Sequence, residues 1–158
     1  MISESTSIRL RTQLDCLPLL FAGIAAAAIQ RRPETGKWSA RENLAHLARY
    51  HEVFRERLER ILREEGPQLA RYRAEDDPEW PKWADMAAFQ IIQKLKQLRS
   101  ELIGFVQQLS ARELARIGIH SQFGAMDIPL WIEFFLLHEA HHLYVVMQRV
   151  REPEVSLK

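Results

Sequence analysis

Apolar residues recur at alternating three- and four-residue spacing through four long stretches of the chain, the pattern of amphipathic helices, and no strand-like alternation competes with them. The first stretch runs from about residue 5 to 30, on a seam of Leu10, Leu14, Leu17, Phe21, Ile24 and Ala28. Pro18 lies inside it and predicts a kink, or a restart with proline in the first turn. The second begins at Ser39, where Ser39-Ala40-Arg41-Glu42 reads as a capping box. Its seam is Leu44, Leu47, His51, Phe54, Leu58 and Ile61, and it fades near Glu65-Gly66-Pro67. The third, about 83 to 109, carries Ala88, Ile91, Leu95, Leu98, Leu102, Phe105 and Leu109. A second capping box, Ser110 to Glu113, opens a short turn, and a Gly-containing loop spans Gly118 to Ala125. Asp127 then caps a fourth helix, which ends before Pro153.

These patterns predict an all-α protein, a four-helix bundle with shallow crossing angles, as a single domain over residues 1–158. Residues 66–82, with Pro67, Pro78 and Pro81, form the longest break. A second helix of about 26 residues is ~39 Å long, and seventeen extended residues reach ~55 Å. The break can therefore return along the bundle and leave helices 2 and 3 parallel.

Composition narrows the function classes. Hydrophobic residues make up 47% and charged residues 27%, with a net charge of +1. That is an ordinary globular profile with no global pull toward nucleic acid or an anionic membrane. Arg55, Arg57, Arg60 and Arg63 interleave with Glu52, Glu56, Glu59 and Glu64, which reads as a solvated helix face rather than a basic patch. No apolar run is long enough to span a bilayer, and no signal peptide is visible, so a cytoplasmic protein is expected. Cys16 is the only cysteine and reads as a small apolar residue on the first helix. Any metal must be held by His and carboxylate ligands.

The fourth seam is the unusual one. Ile128, Trp131, Phe135, His138, His142 and Val145 follow the helical spacing, with two imidazoles where a core helix wants Leu or Ile. At i and i+4 they project from one face and can grip one metal ion. A catalytic site usually takes a third protein ligand. His46 and His51, five residues apart on helix 2, are near-equal candidates on periodicity. His138-Glu139-Ala140-His141-His142 also fits the zinc-protease pattern H-E-x-x-H, with Glu139 as general base. Against that reading, the 151–154 tail offers no helix for a third ligand, and Glu139 is turned about 100° from His138. His141 points off the seam and reads as a rim residue. Tyr50, His51, His120 and Trp131 are candidate pocket residues. His51 also reads as a buried hydrogen-bonded histidine, and Trp131, like Trp38, Trp80 and Trp83, as a core or loop anchor.

Three segments in order carry a resemblance. Gly36-Lys37-Trp38-Ser39-Ala40-Arg41-Glu42-Asn43-Leu44-Ala45-His46-Leu47 resembles the helix-2 start of the DinB-like (YfiT-related) bundle proteins. Arg116 to Gly124 resembles that family's Gly-rich turn before helix 4, and His138 to His142 its H-x-x-x-H motif. The resemblance implies an up-down-down-up bundle, a homodimer, and a metal site made by His46, His138 and His142. It favours His46 over His51 where spacing did not. It implies a metal-dependent enzyme acting on a small molecule, with Zn²⁺, Ni²⁺ or Fe²⁺ and a low-molecular-weight thiol as cosubstrate of an S-transferase. The alternatives are a metal-dependent hydrolase, with Glu139 or His141 as proton acceptor, and a non-catalytic dimeric helical stress or interaction protein with a vestigial site.

Overall fold

The computed structural model describes residues 1–151. The expected helix end before Pro153 and most of the 151–154 tail lie outside those residues. The first predicted helix is broken into α1 (Glu4–Thr12), a 3₁₀ turn (Gln13–Cys16), α2 (Leu17–Leu20) and α3 (Ala26–Gln30). Pro18 sits in the first turn of α2, where its missing N–H costs nothing. The second helix is α4 (Ala40–Arg63). Its capping box is complete: Ser39 Oγ accepts from the Glu42 amide at 3.1 Å, and the Glu42 carboxylate accepts from the Ser39 amide at 2.9 Å. After the crossover come α5 (Trp80–Ala84), α6 (Ala88–Gln107) and α7 (Ala111–Leu114), the last with its own capping box on Ser110. The final helix, α8 (Ile128–Arg151), is capped by Asp127, whose carboxylate accepts from the Leu130 amide at 2.9 Å.

The four-helix bundle expected from the pattern is present. Along α4 and α8 the contacts run in opposite order: His46 meets His142, Tyr50 meets His138, and Phe54 stacks on Phe135. Along α4 and α6 they run in the same order: Arg41 reaches Met86, His51 meets Arg99, and Arg55 lies over Phe105. So α4 is antiparallel to α8 and parallel to α6, the sense that a long crossover permits.

What the pattern did not predict is a small sheet. β1 (Gln68–Leu69) pairs parallel with β2 (Ile117–His120), which pairs antiparallel with β3 (Gly124–Asp127). Strands of two to four residues are too short for alternation to register. Gly118 is where β2 crosses the bundle: a Cβ there would lie 2.7 Å from Ile61 Cδ1. The glycine lets the strand lie on α4, and its carbonyl accepts from Trp131 Nε1 at 3.3 Å. Through β1, the sheet ties the crossover to the hairpin before α8.

The core has two apolar bodies. One gathers Leu10, Phe54, Leu58, Leu102, Trp131 and Phe135; the other gathers Leu14, Leu44, Leu47, Leu95, Leu143 and Val146. In sequence order along α1, α4, α6 and α8, a polar layer separates them. Arg99 donates to Glu139 and to His51 Nε2 (3.2 Å), and to the Leu10 carbonyl at 2.9 Å. Gln13 donates to the other Glu139 oxygen at 2.8 Å, and His51 Nδ1 to the Leu47 carbonyl at 2.8 Å. Every member has a partner, as a buried polar network requires.

That layer corrects the expected seam of the fourth helix. The buried stripe of α8 runs Ile132, Phe135, Leu136, Glu139, Leu143 and Val146. Glu139 is fully buried at its centre, while His138 and His142 flank it and Val145 is only half-buried. On α6 the buried position is Arg99 rather than Leu98. In both cases a charged residue sits in the seam because a charged partner faces it.

Candidate metal centre

His46 comes from the second turn of α4, and His138 and His142 come from consecutive turns of α8. Antiparallel packing brings them to one height. One ring nitrogen of each lies within 4.8 Å of the others, and His46 Nε2 and His138 Nε2 are 3.1 Å apart. Metal–nitrogen bonds of about 2.0–2.1 Å put neighbouring ligand nitrogens roughly 2.9–3.4 Å apart. His46 and His138 already have that separation. His51 lies in the polar layer instead, so the two helix-2 histidines serve different sites.

The tautomer of His142 follows from its neighbour. Asn43 Nδ2 donates to the Ser39 carbonyl at 2.8 Å, which turns Asn43 Oδ1 toward His142. Oδ1 accepts from His142 Nδ1–H at 2.8 Å, so Nε2 carries the lone pair. His46 and His138 have no such partner: the Nδ1 of each is buried without a hydrogen bond. Ring packing holds them. The centroid of His46 lies 5.6 Å from that of Tyr72 and 5.1 Å from that of Trp38, and His138 lies 4.3 Å from Tyr50.

Burial lowers the pKa of His46 to about 4 and, with the charge of His46 nearby, that of His142 to about 3. Burial, then the neighbouring imidazoles, pushes His138 down as well. At neutral pH all three are uncharged. Only one of His46 and His138 can accept from the other through Nε2, and the Nε2 lone pair of His142 meets no donor among the described residues. A divalent cation would use all three Nε2 atoms, and three imidazoles suit Zn²⁺, Ni²⁺ or Fe²⁺.

The rings open onto a cavity of about 900 Å³ between α4, α8, the crossover and the β2–β3 hairpin. Tyr50 and His120, both candidates from sequence, line it. His120 Nδ1 accepts from the Gln122 and Phe123 amides at 3.0 and 3.3 Å, which leaves its proton on Nε2. His141 is at the exposed rim, its ring centre 5.2 Å from that of His142. Two other pocket candidates lie elsewhere: Trp131 is fully buried in the core, and His51 is in the polar layer. Glu139, a candidate proton acceptor, is engaged by Arg99 and Gln13 and does not line the cavity. That removes the general base from the H-E-x-x-H reading.

Several residues of the site escape the sequence reading, among them Arg71, Tyr72 and Arg73 of the crossover and, on α4, Asn43 and Arg57. Asn43 has no assigned role in the sequence and appears only within the Gly36–Leu47 segment that carries the resemblance. Arg57 was read as solvated but is 7% exposed and lines the cavity. A signal existed: at 100° per residue, Asn43, His46, Tyr50 and Arg57 fall on one face of α4 within about 60°.

The comparisons with known proteins agree with this architecture. No curated protein is significantly similar to the chain in sequence. Among solved structures, YfiT from Bacillus subtilis, described as a probable metal-dependent hydrolase with an unusual four-helix bundle topology, matches with a TM-score of 0.78. The match covers 96% of this chain and 89% of that one at 16% identity, a likeness of fold. The sequence profile of the DinB superfamily matches residues 9–146, a span that holds all three histidines, all of α4 and α6 and most of α8. The chain belongs to the DinB superfamily.

Proposed function

We propose that this protein is a metal-dependent enzyme that transfers a small thiol to an electrophile, with His46, His138 and His142 holding the divalent ion. The observation that carries the reading is a substrate-sized cavity, lined by hydrogen-bond donors, open to the three imidazoles. A bound divalent ion supplies Lewis acidity, which turns a thiol or water into a nucleophile at neutral pH. The chain's own residues do the rest. Asn43 orients His142, the aromatic rings around His46 exclude water, and Tyr50, Arg57 and His120 offer donors to the remainder of the substrate. In the transfer itself the thiol sulfur bonds to the electrophilic carbon. The leaving group departs with the bonding electron pair, and the thiol proton passes to solvent.

Hydrolysis of a small substrate is the second reading. His141 at the rim is the acceptor that favours it, since Glu139 is occupied by Arg99.

Elemental analysis of protein purified without a histidine tag, beside His142→Ala, tests the metal site. Near-stoichiometric metal, lost in the variant, is expected. No metal after reconstitution with Zn²⁺ and Ni²⁺ would overturn the reading. Loaded protein given a bromoalkyl electrophile with and without a small thiol then separates the two reactions: turnover that needs no thiol supports hydrolysis.

A further inference from the structure

Arg57 has an unusual position for a buried cation. Within hydrogen-bond and ion-pair distance its guanidinium meets only neutral oxygens among the described residues: the Tyr50 hydroxyl at 2.9 Å and the Ala70 carbonyl at 2.6 Å. Among the described residues one other arginine is buried, Arg99, and it is paired with Glu139. The guanidinium carries five N–H donors, of which these contacts use two. Two aromatic faces hold it in place, with ring centres of Tyr50 and Trp131 at 5.5 and 5.8 Å.

The groups around it are donors too. Tyr50 Oη accepts from Arg57, and its own hydrogen finds no acceptor among the described residues. His120 has its proton on Nε2, because two backbone amides occupy Nδ1. Arg71 and Arg73 lie on the same cavity wall; Arg73 pairs with Asp76 at 3.3 Å, and Glu75 is the one acidic residue among those lining the cavity. A pocket that gathers donors around an unpaired buried cation lacks one component, an oxyanion.

We infer that this end of the cavity is an oxyanion site. Arg57, assisted by Tyr50 and His120, takes the carboxylate of a small organic substrate or cosubstrate whose other end lies at the three histidines. The inference rests on the proposed function for that second end, and it names the substrate class: an organic acid. Arg57 is eleven residues beyond His46, about 16 Å along the helix axis, and its side chain reaches back toward Tyr50. The ligand therefore spans several carbons between its acid group and its reacting atom.

The test uses Co²⁺-loaded protein and two series of probes, ω-mercaptocarboxylates of three to six carbons and ω-mercaptoalkanols of the same lengths. Sulfur-to-cobalt charge-transfer absorption reads the affinity of each. At the best length the carboxylate should bind about tenfold or more tighter than its alcohol. Arg57→Met should abolish that preference while leaving alkanol affinity and cobalt binding unchanged, a pattern that a merely structural arginine would not give. Arg57→Lys, which keeps the charge without the fork, should retain part of it and serves if the methionine variant does not fold. Equal affinity for both series at every length, or a preference that survives Arg57→Met, would overturn the inference. Failure to bind cobalt would count against the metal reading alone. Isothermal titration of metal-free protein with adipate against hexane-1,6-diol then decides the oxyanion site, with binding of adipate lost in Arg57→Met expected and no difference between the two overturning it.

Discussion

Replacing Arg99 with methionine isolates the energetics of the polar layer. Arg99 and Glu139 are a buried ion pair between α6 and α8, 4% and 0% exposed. The substitution keeps most of the aliphatic volume but leaves the carboxylate with one donor, Gln13, and strips the Leu10 carbonyl and His51 Nε2 of theirs. Breaking a buried pair from one side costs about 3–5 kcal/mol. For a domain of this size, each kcal/mol moves the thermal midpoint by about 2–4 °C, so a fall of roughly 6–20 °C is expected. Adding Glu139→Leu removes the stranded charge. Buried pairs exchanged whole for apolar side chains are often neutral or stabilising. Here two acceptors stay bare, so the double variant should recover at least about half of the loss. Urea unfolding of the metal-free proteins, with m-values compared, measures all four corners of the cycle. The reasoning is refuted if Arg99→Met costs less than about 1 kcal/mol, or if the double variant is no more stable than the single.

Three further outcomes follow from particular contacts. Asn43→Leu should weaken metal binding about 10–100-fold in chelator competition, because it removes the acceptor that fixes the His142 tautomer; unchanged affinity would mean that packing alone orients the ring. Gly118→Ala should destabilise by about 1–3 kcal/mol in urea unfolding, through the 2.7 Å approach to Ile61, and the same substitution made in an Ile61→Ala background should cost less. The Arg9 guanidinium, with Thr6, holds Glu133 below the usual carboxylate range. A carboxylate depressed on folding adds stability above its unfolded pKa and loses it as pH falls through the folded one. Thermal melts of wild type and Glu133→Gln should therefore differ at pH 7 and converge as pH falls below about 4.3. A gap that stays constant with pH would show that the pair contributes no charge-dependent stability.

Much of this molecule was legible in its sequence, and the omissions have a common cause. The long helices were readable because their apolar seams persist for many turns, and both capping boxes and the Asp127 cap lie where the side chains indicate. The i and i+4 histidines pointed to a shared face, and the family resemblance chose His46 over His51. The strands were invisible because two to four residues cannot establish a period. The sequence reading places Arg57 on a solvated face, Leu98 rather than Arg99 in the seam of α6, and His138 rather than Glu139 in that of α8, because charge is ordinarily a sign of exposure. Their spacing indicated otherwise: Leu95, Arg99 and Leu102 keep the seam of α6, and Phe135, Glu139 and Leu143 that of α8. Periodicity locates a side chain on a face, whereas its partner on another helix determines whether it can be buried there.

The cavity has walls of unequal durability. The imidazoles stand on helices of 24 residues packed over most of their length, whereas the opposite wall hangs from β1, a strand of two residues. That strand is held to the hairpin by few backbone bonds, among them Ile119 N–H to Pro67 O and Ser121 N–H to Leu69 O. Local opening is least costly where buried contacts are few. Amide exchange should accordingly be faster at Ile119 and Ser121 than in the middle of α4 and α8. A ligand would then enter and leave by fluctuation of the crossover and hairpin, while the three imidazoles keep their positions through each exchange.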